Sequence, residues 1–201
     1  MNNLDKIFLN NKQIKKFSKS YFTYLTSVLD RISEEEIEAF VTVLLEARER
    51  ESVVYFIGNG GSAATASHFA NDISIGTRCY EKPFRVLSLC DNQAIITAIA
   101  NDDGYENIFS QQLSVLLKKN DVVVAISASG NSPNLIKAIK TAKDMNAITV
   151  GLTAFDGGTL KKSVDISLHV PTEKGEYGPS EDAHMILDHL IGSYLNRYIK
   201  E

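Results

Sequence analysis

The chain has 201 residues, room for one domain with a helical appendage. Hydrophobic residues make up 44% and charged residues 23%, ordinary for a globular protein, which excludes disordered and fibrous classes. With 21 Lys and Arg against 25 Asp and Glu the net charge is −4, so the basic footprint of a nucleic-acid binder is missing. An anionic substrate stays open, because backbone amides capture anions without net positive charge.

The first 50 residues contain no glycine or proline and predict helices. Leu25, Val28, Leu29 and Ile32 recur at helical spacing. Ser33 with Glu36 forms a capping box opening a further helix, with Ile37, Phe40, Val41, Leu44 and Leu45 on one face. A stripe this apolar must cover either the sheet that follows or another subunit. Residues 1–50 are therefore read as an N-terminal helical extension and 51–201 as the domain proper.

From Val53 short apolar runs alternate with helical segments. Runs at 53–57, 84–89, 121–126, 147–152 and 164–170 predict five strands. Helices are expected near 62–76, 93–119, 132–145 and 157–162, with a last one over about 179–199. Continuous apolar strands alternating with helices imply an α/β fold, a parallel sheet covered on both faces. In such sheets ligands bind beyond the carboxyl ends of the strands.

Two of those ends suit a phosphate. The first strand runs into Gly58-Asn59-Gly60-Gly61-Ser62 and then a helix; glycines let amides approach a ligand, and the helix adds its positive end. The third runs into Ser127-Ala128-Ser129-Gly130-Asn131-Ser132-Pro133, with Pro133 suited to the first helical position and Ser132 to the N-cap. Each loop alone is also an ordinary strand-to-helix turn; two after strands of one sheet point to anion binding. Gly58-x-Gly60-x-x-Ala63 also fits a dinucleotide fingerprint, but that scheme wants an acid about 20 residues on. The nearest suitable acid, Asp91, lies roughly thirty residues on, and the serine-rich loop has no part in that scheme.

His68 and Asp72 stand at i and i+4 on the helix after the first loop. The last helix carries Glu181, Asp182, His184, Asp188 and His189, with Glu181 and His189 about two turns apart. Imidazole with carboxylate is both a zinc-compatible set and a general acid–base set. Spacing alone equally fits solvated surface pairs. His169, within the last strand, is expected to be structural. The two cysteines, Cys79 and Cys90, form no CxxC pair and are expected as free thiols in a reducing compartment. The N-terminal MNNLDKIFLNNKQIKK lacks a signal peptide's apolar core, and no run approaches the roughly 18 apolar residues of a membrane span. A cytoplasmic protein without nucleic-acid or membrane partners is expected.

Taken together, GNGGSA…HFA, AIANDDGY (98–105), ISASGNS (126–132), LTAFDGG (152–158) and EDAHMILDH (181–189) resemble the phosphoheptose isomerase branch of the sugar isomerase (SIS) family, in order and spacing, from about residue 20 onward. The resemblance implies a single flavodoxin-like SIS domain, a five-stranded parallel sheet flanked by helices. It implies N-terminal helices used in a homotetramer with active sites between subunits. It also implies isomerisation of sedoheptulose 7-phosphate to D-glycero-D-manno-heptose 7-phosphate through an enediol, for surface-polysaccharide precursors. By position, phosphate and sugar contacts fall on Asn59, Gly60, Gly61, Ser62, Asn101, Asp102, Ser127, Ala128, Ser129 and Ser132. The family's zinc ligands fall on His68, Asp72, Glu181 and His189, with Asp72 and His189 as the catalytic pair and Asp72 and Glu181 also facing substrate. Asp72 replaces a family Glu, Glu181 a Gln, Gly178 an Asp in many members and Ala128 a usual Thr. These departures leave open an isomerase of another sugar phosphate. A non-catalytic SIS protein, binding a replication initiator or sensing a sugar phosphate, is the other alternative.

Overall fold

The computed structural model describes residues 1–200. Three helices come first: α1 (Asn3–Asn10), α2 (Ile14–Leu29) and α3 (Glu34–Glu49). Strands and helices then alternate: β1 (Val53–Gly58), α4 (Gly61–Ser74), β2 (Arg85–Ser88), α5 (Gln93–Asp102), α6 (Ser110–Leu116), β3 (Val122–Ser127), α7 (Pro133–Asp144), β4 (Ile148–Ala154), α8 (Gly158–Ser163), β5 (Ile166–Val170) and α9 (Tyr177–Tyr198). The strands form one parallel sheet in the order β2-β1-β3-β4-β5, the flavodoxin-like arrangement. Its strand order reverses between β1 and β3, where the crossovers leave a crevice at the carboxyl edge.

The central strands are apolar throughout because both faces are covered. Alternate side chains Val54, Phe56, Val122, Val124 and Ile126 pack with α3, α4 and α9. Tyr55, Ile57, Val123 and Ala125 pack on the other side with residues of α6, α7 and α8. On the first face Phe56 stacks on Phe69 of α4 at 4.9 Å between ring centroids, and Phe40 of α3 meets Phe69 edge-on at 6.2 Å. These rings fix α4 against the sheet and so set where its next residues point.

Local chemistry departs from expectation in three places. The span expected as one helix over 93–119 is broken: α5 stops at Asp102, Gly104 turns at φ +95°, and a 3-10 turn at Tyr105–Asn107 leads into α6. The capping box at α3 is half formed: Ser33 accepts the Glu36 amide at 3.1 Å. The Glu36 carboxylate instead takes the His169 amide of β5 at 2.7 Å, which ties α3 to the sheet edge. The buried face of α3 is Phe40, Val43, Leu44 and Ala47, within the same core as the strands. Ile37, Val41 and Leu45, expected on that face, are partly buried against the same core and also line an open groove with Leu190, Tyr194 and Tyr198 of α9. Among the described residues no helix is long and apolar enough to cross a membrane. Cys79 and Cys90 are free thiols.

Candidate active site

The two loops meet at the strand-order reversal. Ser127, Ala128, Ser129 and Ser132 from one side and Asn59 and Ser62 from the other line a cavity of about 180 Å³. Tyr177 and Glu181 at the start of α9 close it. The serine loop is held rigidly. The Gly130 amide donates to Ser127 Oγ at 3.1 Å, and Asn131 Nδ2 donates to Ser129 O at 2.9 Å. Asn131 Oδ1 in turn accepts from the amide and hydroxyl of Thr159. Gly130 sits at φ +62°, and a Cβ there would lie 2.0 Å from Gly157 O, so only glycine lets the serine loop and the β4–α8 turn come this close. Ser132 occupies the N-cap of α7 but makes no capping hydrogen bond, and Pro133 follows at the first helical position. Hydroxyls and amides at a helix start, without a lysine or arginine in the lining, can accept a phosphate.

Asn59 is fixed by partners the motifs did not flag. Its amide exchanges hydrogen bonds with buried Asn134 at 2.8 and 3.0 Å, and Tyr105 donates to its Oδ1 at 3.0 Å. Asn101 and Asp102 lie exposed at the end of α5, bonded to one another at 2.8 Å, outside this cavity lining. Asp91, the acid the dinucleotide scheme would need, accepts from the Ser67 hydroxyl.

From the cavity, α4 and α9 run side by side in one register. Gly61 faces Glu181, His68 faces Asp188, Asp72 faces Gly192, and the Gly76 carbonyl accepts from Asn196, each partner 120 residues further on. Gly192 leaves room for Asp72: a Cβ there would come 3.5 Å from Asp72 Cβ. This pairing brings together a compact polar group. His68 Nε2 lies 3.3 Å from His189 Nε2, 3.6 Å from Asp72 Oδ2 and 3.9 Å from Asp188 Oδ2. One ligand atom from each of the four residues falls within 4.8 Å of every other. Asp188 is fully buried and neither carboxylate oxygen has a hydrogen-bond partner. Burial, with the Asp72 carboxylate adding to it, pushes its pKa up to about 7.

Of the four residues expected as metal ligands, the chain therefore joins His68, Asp72 and His189. Glu181 stands apart from them. Its carboxylate lies over Gly61 at the start of α4, where helix amides favour an anion, while eight residues of helix, about 12 Å, separate it from His189. Asp188, not singled out, completes the cluster. The histidines outside it are structural. His169 Nδ1 is 2.9 Å from the Thr153 hydroxyl; His184, buried beneath β4 rather than in a solvated acidic face, has its pKa lowered by desolvation to about 4.

The model of the SIS domain matches residues 20–154. The phosphoheptose isomerase of Helicobacter pylori strain Shi470 is 36% identical over 185 residues, covering 92% of this chain and 95% of that protein. That of Geobacter metallireducens is 35% identical over 181 residues, covering 90% and 94%. Among solved structures, phosphoheptose isomerase from Neisseria gonorrhoeae superposes with a TM-score of 0.82 at 26% identity, over 92% of this chain and all of that one. A phosphoheptose isomerase from Francisella tularensis superposes with a TM-score of 0.80 at 25% identity, over 98% and 100%.

Proposed function

This chain belongs to the phosphoheptose isomerases of the SIS-domain family, and we propose that it converts sedoheptulose 7-phosphate to D-glycero-D-manno-heptose 7-phosphate through an enediol, in the cytoplasm, for heptose precursors of surface polysaccharide. The observation that carries this reading is the pairing of a serine-lined cavity with an acid–base cluster about two helical turns along the same α4–α9 seam.

The serine loop holds the phosphate with Ser127, Ser129 and Ser132 and the amides around them. Fixing that end converts binding energy into orientation of the distant carbonyl. Asn59, held by Asn134 and Tyr105, and the neighbouring Gly60, Gly61 and Ser62 meet the sugar hydroxyls, with Asn101, Asp102 and Glu181 completing the polar contacts. Asp72 moves the proton between C1 and C2, and His189 gives and takes the proton at oxygen. Both remain partly open to solvent, which suits groups that must reach a substrate. The two imidazoles and adjacent carboxylates are a donor set that fits zinc, and the unpartnered oxygens of Asp188 fit a cation beside them. An ion held there by His68, Asp72 and His189 would supply Lewis-acid polarisation of a carbonyl oxygen, with Asp72 and His189 moving protons only while released from it.

A homotetramer is part of the same reading. Ile37, Val41 and Leu45 of α3 and Leu190, Tyr194 and Tyr198 of α9 leave an apolar groove of about 400 Å³ facing outward, and Phe8 and Phe22 are also exposed. The test is a panel of phosphorylated ketoses, run with and without chelator on protein whose native mass is measured in parallel. Turnover concentrated on sedoheptulose 7-phosphate, by a particle of about four times the 22.2 kDa chain, is expected. Preference for another ketose phosphate, or none turned over, refutes the substrate assignment.

A further inference from the structure

We propose that Asp188 is a direct metal ligand, and that the ion is held by His68, Asp72, Asp188 and His189 of a single chain, with Glu181 left at the serine loop. The proposal rests on the reading of this cluster as a metal centre and specifies which carboxylate fills it. Three observations support it, and each concerns Asp188 itself.

The first is an unmet need. Asp188 is fully buried on α9, yet both of its oxygens lack a hydrogen-bond donor. A buried carboxylate without partners is costly, and a coordinated cation is one of the few arrangements that removes the cost. The second is aim. Its Oδ2 points to within 3.9 Å of His68 Nε2, into the gap between the histidines and Asp72 rather than into the apolar core around Leu187 and Ile191. The third is spacing. A tetrahedral zinc site with bonds of about 2.0–2.2 Å has neighbouring donors about 3.3–3.6 Å apart. The distances from His68 Nε2 to its three neighbours are 3.3, 3.6 and 3.9 Å and every pair of donors falls within 4.8 Å, so side-chain adjustments of about 1 Å bring all four onto one ion.

Glu181 has a different occupation. Its carboxylate already rests at the amino end of α4, against Gly61. Releasing it would free an anion from a helix start only to add a third carboxylate to a centre that has two. The ion would thus sit in a His2Asp2 set whose formal charge balances that of a divalent cation, and a substrate oxygen would reach it as a fifth donor.

Asp188→Asn, which is near-isosteric, and Glu181→Ala, which leaves no donor at that position, separate the two assignments. Each protein, stripped and then dialysed against zinc, would be assayed for bound metal by mass spectrometry and for affinity by competition with a chromophoric chelator. Cobalt-substituted samples would be compared by visible absorption. Asp188→Asn should lose more affinity than the roughly 10–100-fold typical of losing an outer-sphere partner, and its cobalt spectrum should change. Glu181→Ala should keep one zinc per chain with affinity within a few-fold of the parent and an unchanged cobalt spectrum. Loss of metal in Glu181→Ala, or retention of parent affinity in Asp188→Asn, overturns the proposal. So does a parent protein that takes up no zinc. Should Asp188→Asn fail to fold, Glu181→Ala decides alone: parent affinity with an unchanged cobalt spectrum upholds the assignment, and an affinity loss beyond about 100-fold overturns it. Activity on sedoheptulose 7-phosphate is measured separately, so a failed ligand assignment and a failed substrate assignment give different results.

Discussion

Replacing Gly130 with alanine tests whether the serine loop works as a rigid phosphate holder. Two costs are built into the site. Gly130 has φ +62°, and an L-residue in that region costs about 1–2 kcal/mol. In addition the new Cβ would lie 2.0 Å from Gly157 O and 2.6 Å from Gly157 C, both backbone atoms that cannot swing aside. Relief requires the serine loop and the β4–α8 turn to part by about 1 Å or more, and a misplacement of about 1 Å can cost on the order of 100-fold in rate. Gly60→Ala is the comparison for backbone strain without a clash: its φ is also positive, at +55°, and nothing lies within 4 Å of its Cβ. Urea unfolding should show a larger loss for Gly130→Ala than for Gly60→Ala. Steady-state kinetics on the phosphorylated ketose should show kcat/KM for Gly130→Ala down about 100-fold, mainly through KM. A KM within two-fold of the parent, with a stability loss no greater than that of Gly60→Ala, would refute the reasoning.

Acid sensitivity of the fold should trace in part to His184. The unfolded chain takes up this proton near pH 6.5 and the folded one only near pH 4, so between those values the unfolded state binds more protons. Stability therefore falls as pH drops through that window, by about 2 kcal/mol between pH 7 and 4.5 from this residue. Urea titrations should show a shallower pH slope for His184→Gln than for the parent; equal slopes contradict the assignment. For the chemistry itself, Asp72→Asn and His189→Ala should each cost about 10²–10⁴-fold in kcat with the fold intact, while Ser129→Ala should act mainly on KM. Near-normal turnover in the first two, or an unchanged KM in the third, would move those roles elsewhere.

The sheet was legible because burial on both faces makes its central strands mostly apolar, and β3 is buried from Val122 to Ser127. The loops were legible because two glycine- and serine-rich turns follow strands of one sheet, each running straight into a helix. Contacts that depend on a distant partner were not. Glu36 reads locally as half of a capping box, yet a strand amide more than a hundred residues away claims its carboxylate. Asp188 shares the last helix with Glu181, Asp182 and His189, and by spacing that acidic set reads as a solvated face. Its true signal is its place on the stripe Ser180, His184, Leu187, Ile191 and Leu195, all buried, where a carboxylate calls for an explanation. Nothing local announces that His68 lies opposite; that follows from α4 and α9 sharing one register.

That register also links the architecture to the length of the substrate. Both helices start at the serine-lined cavity, and seven residues along each, about 10 Å, lead from Gly61 and Glu181 to His68 and Asp188. The six C–C bonds of a seven-carbon chain zigzag to about 7.5 Å end to end when extended, and the phosphoester at C7 adds about 2.5 Å, so the reach from phosphorus to C1 is about 10 Å. On the proposed binding mode, with Ser127, Ser129 and Ser132 holding the phosphate at C7, C1 and C2 come to the level of His68 and Asp188, beside Asp72 and His189. A shorter ketose phosphate held by the same loop would leave its carbonyl carbon short of those groups, and a longer one would overrun them. Substrate length is then measured by the rise of two parallel helices, and inserting a full helical turn in both, below Ser62 and above His68 on α4 and between Glu181 and Asp188 on α9, should abolish turnover of the seven-carbon substrate while the metal cluster keeps its ion.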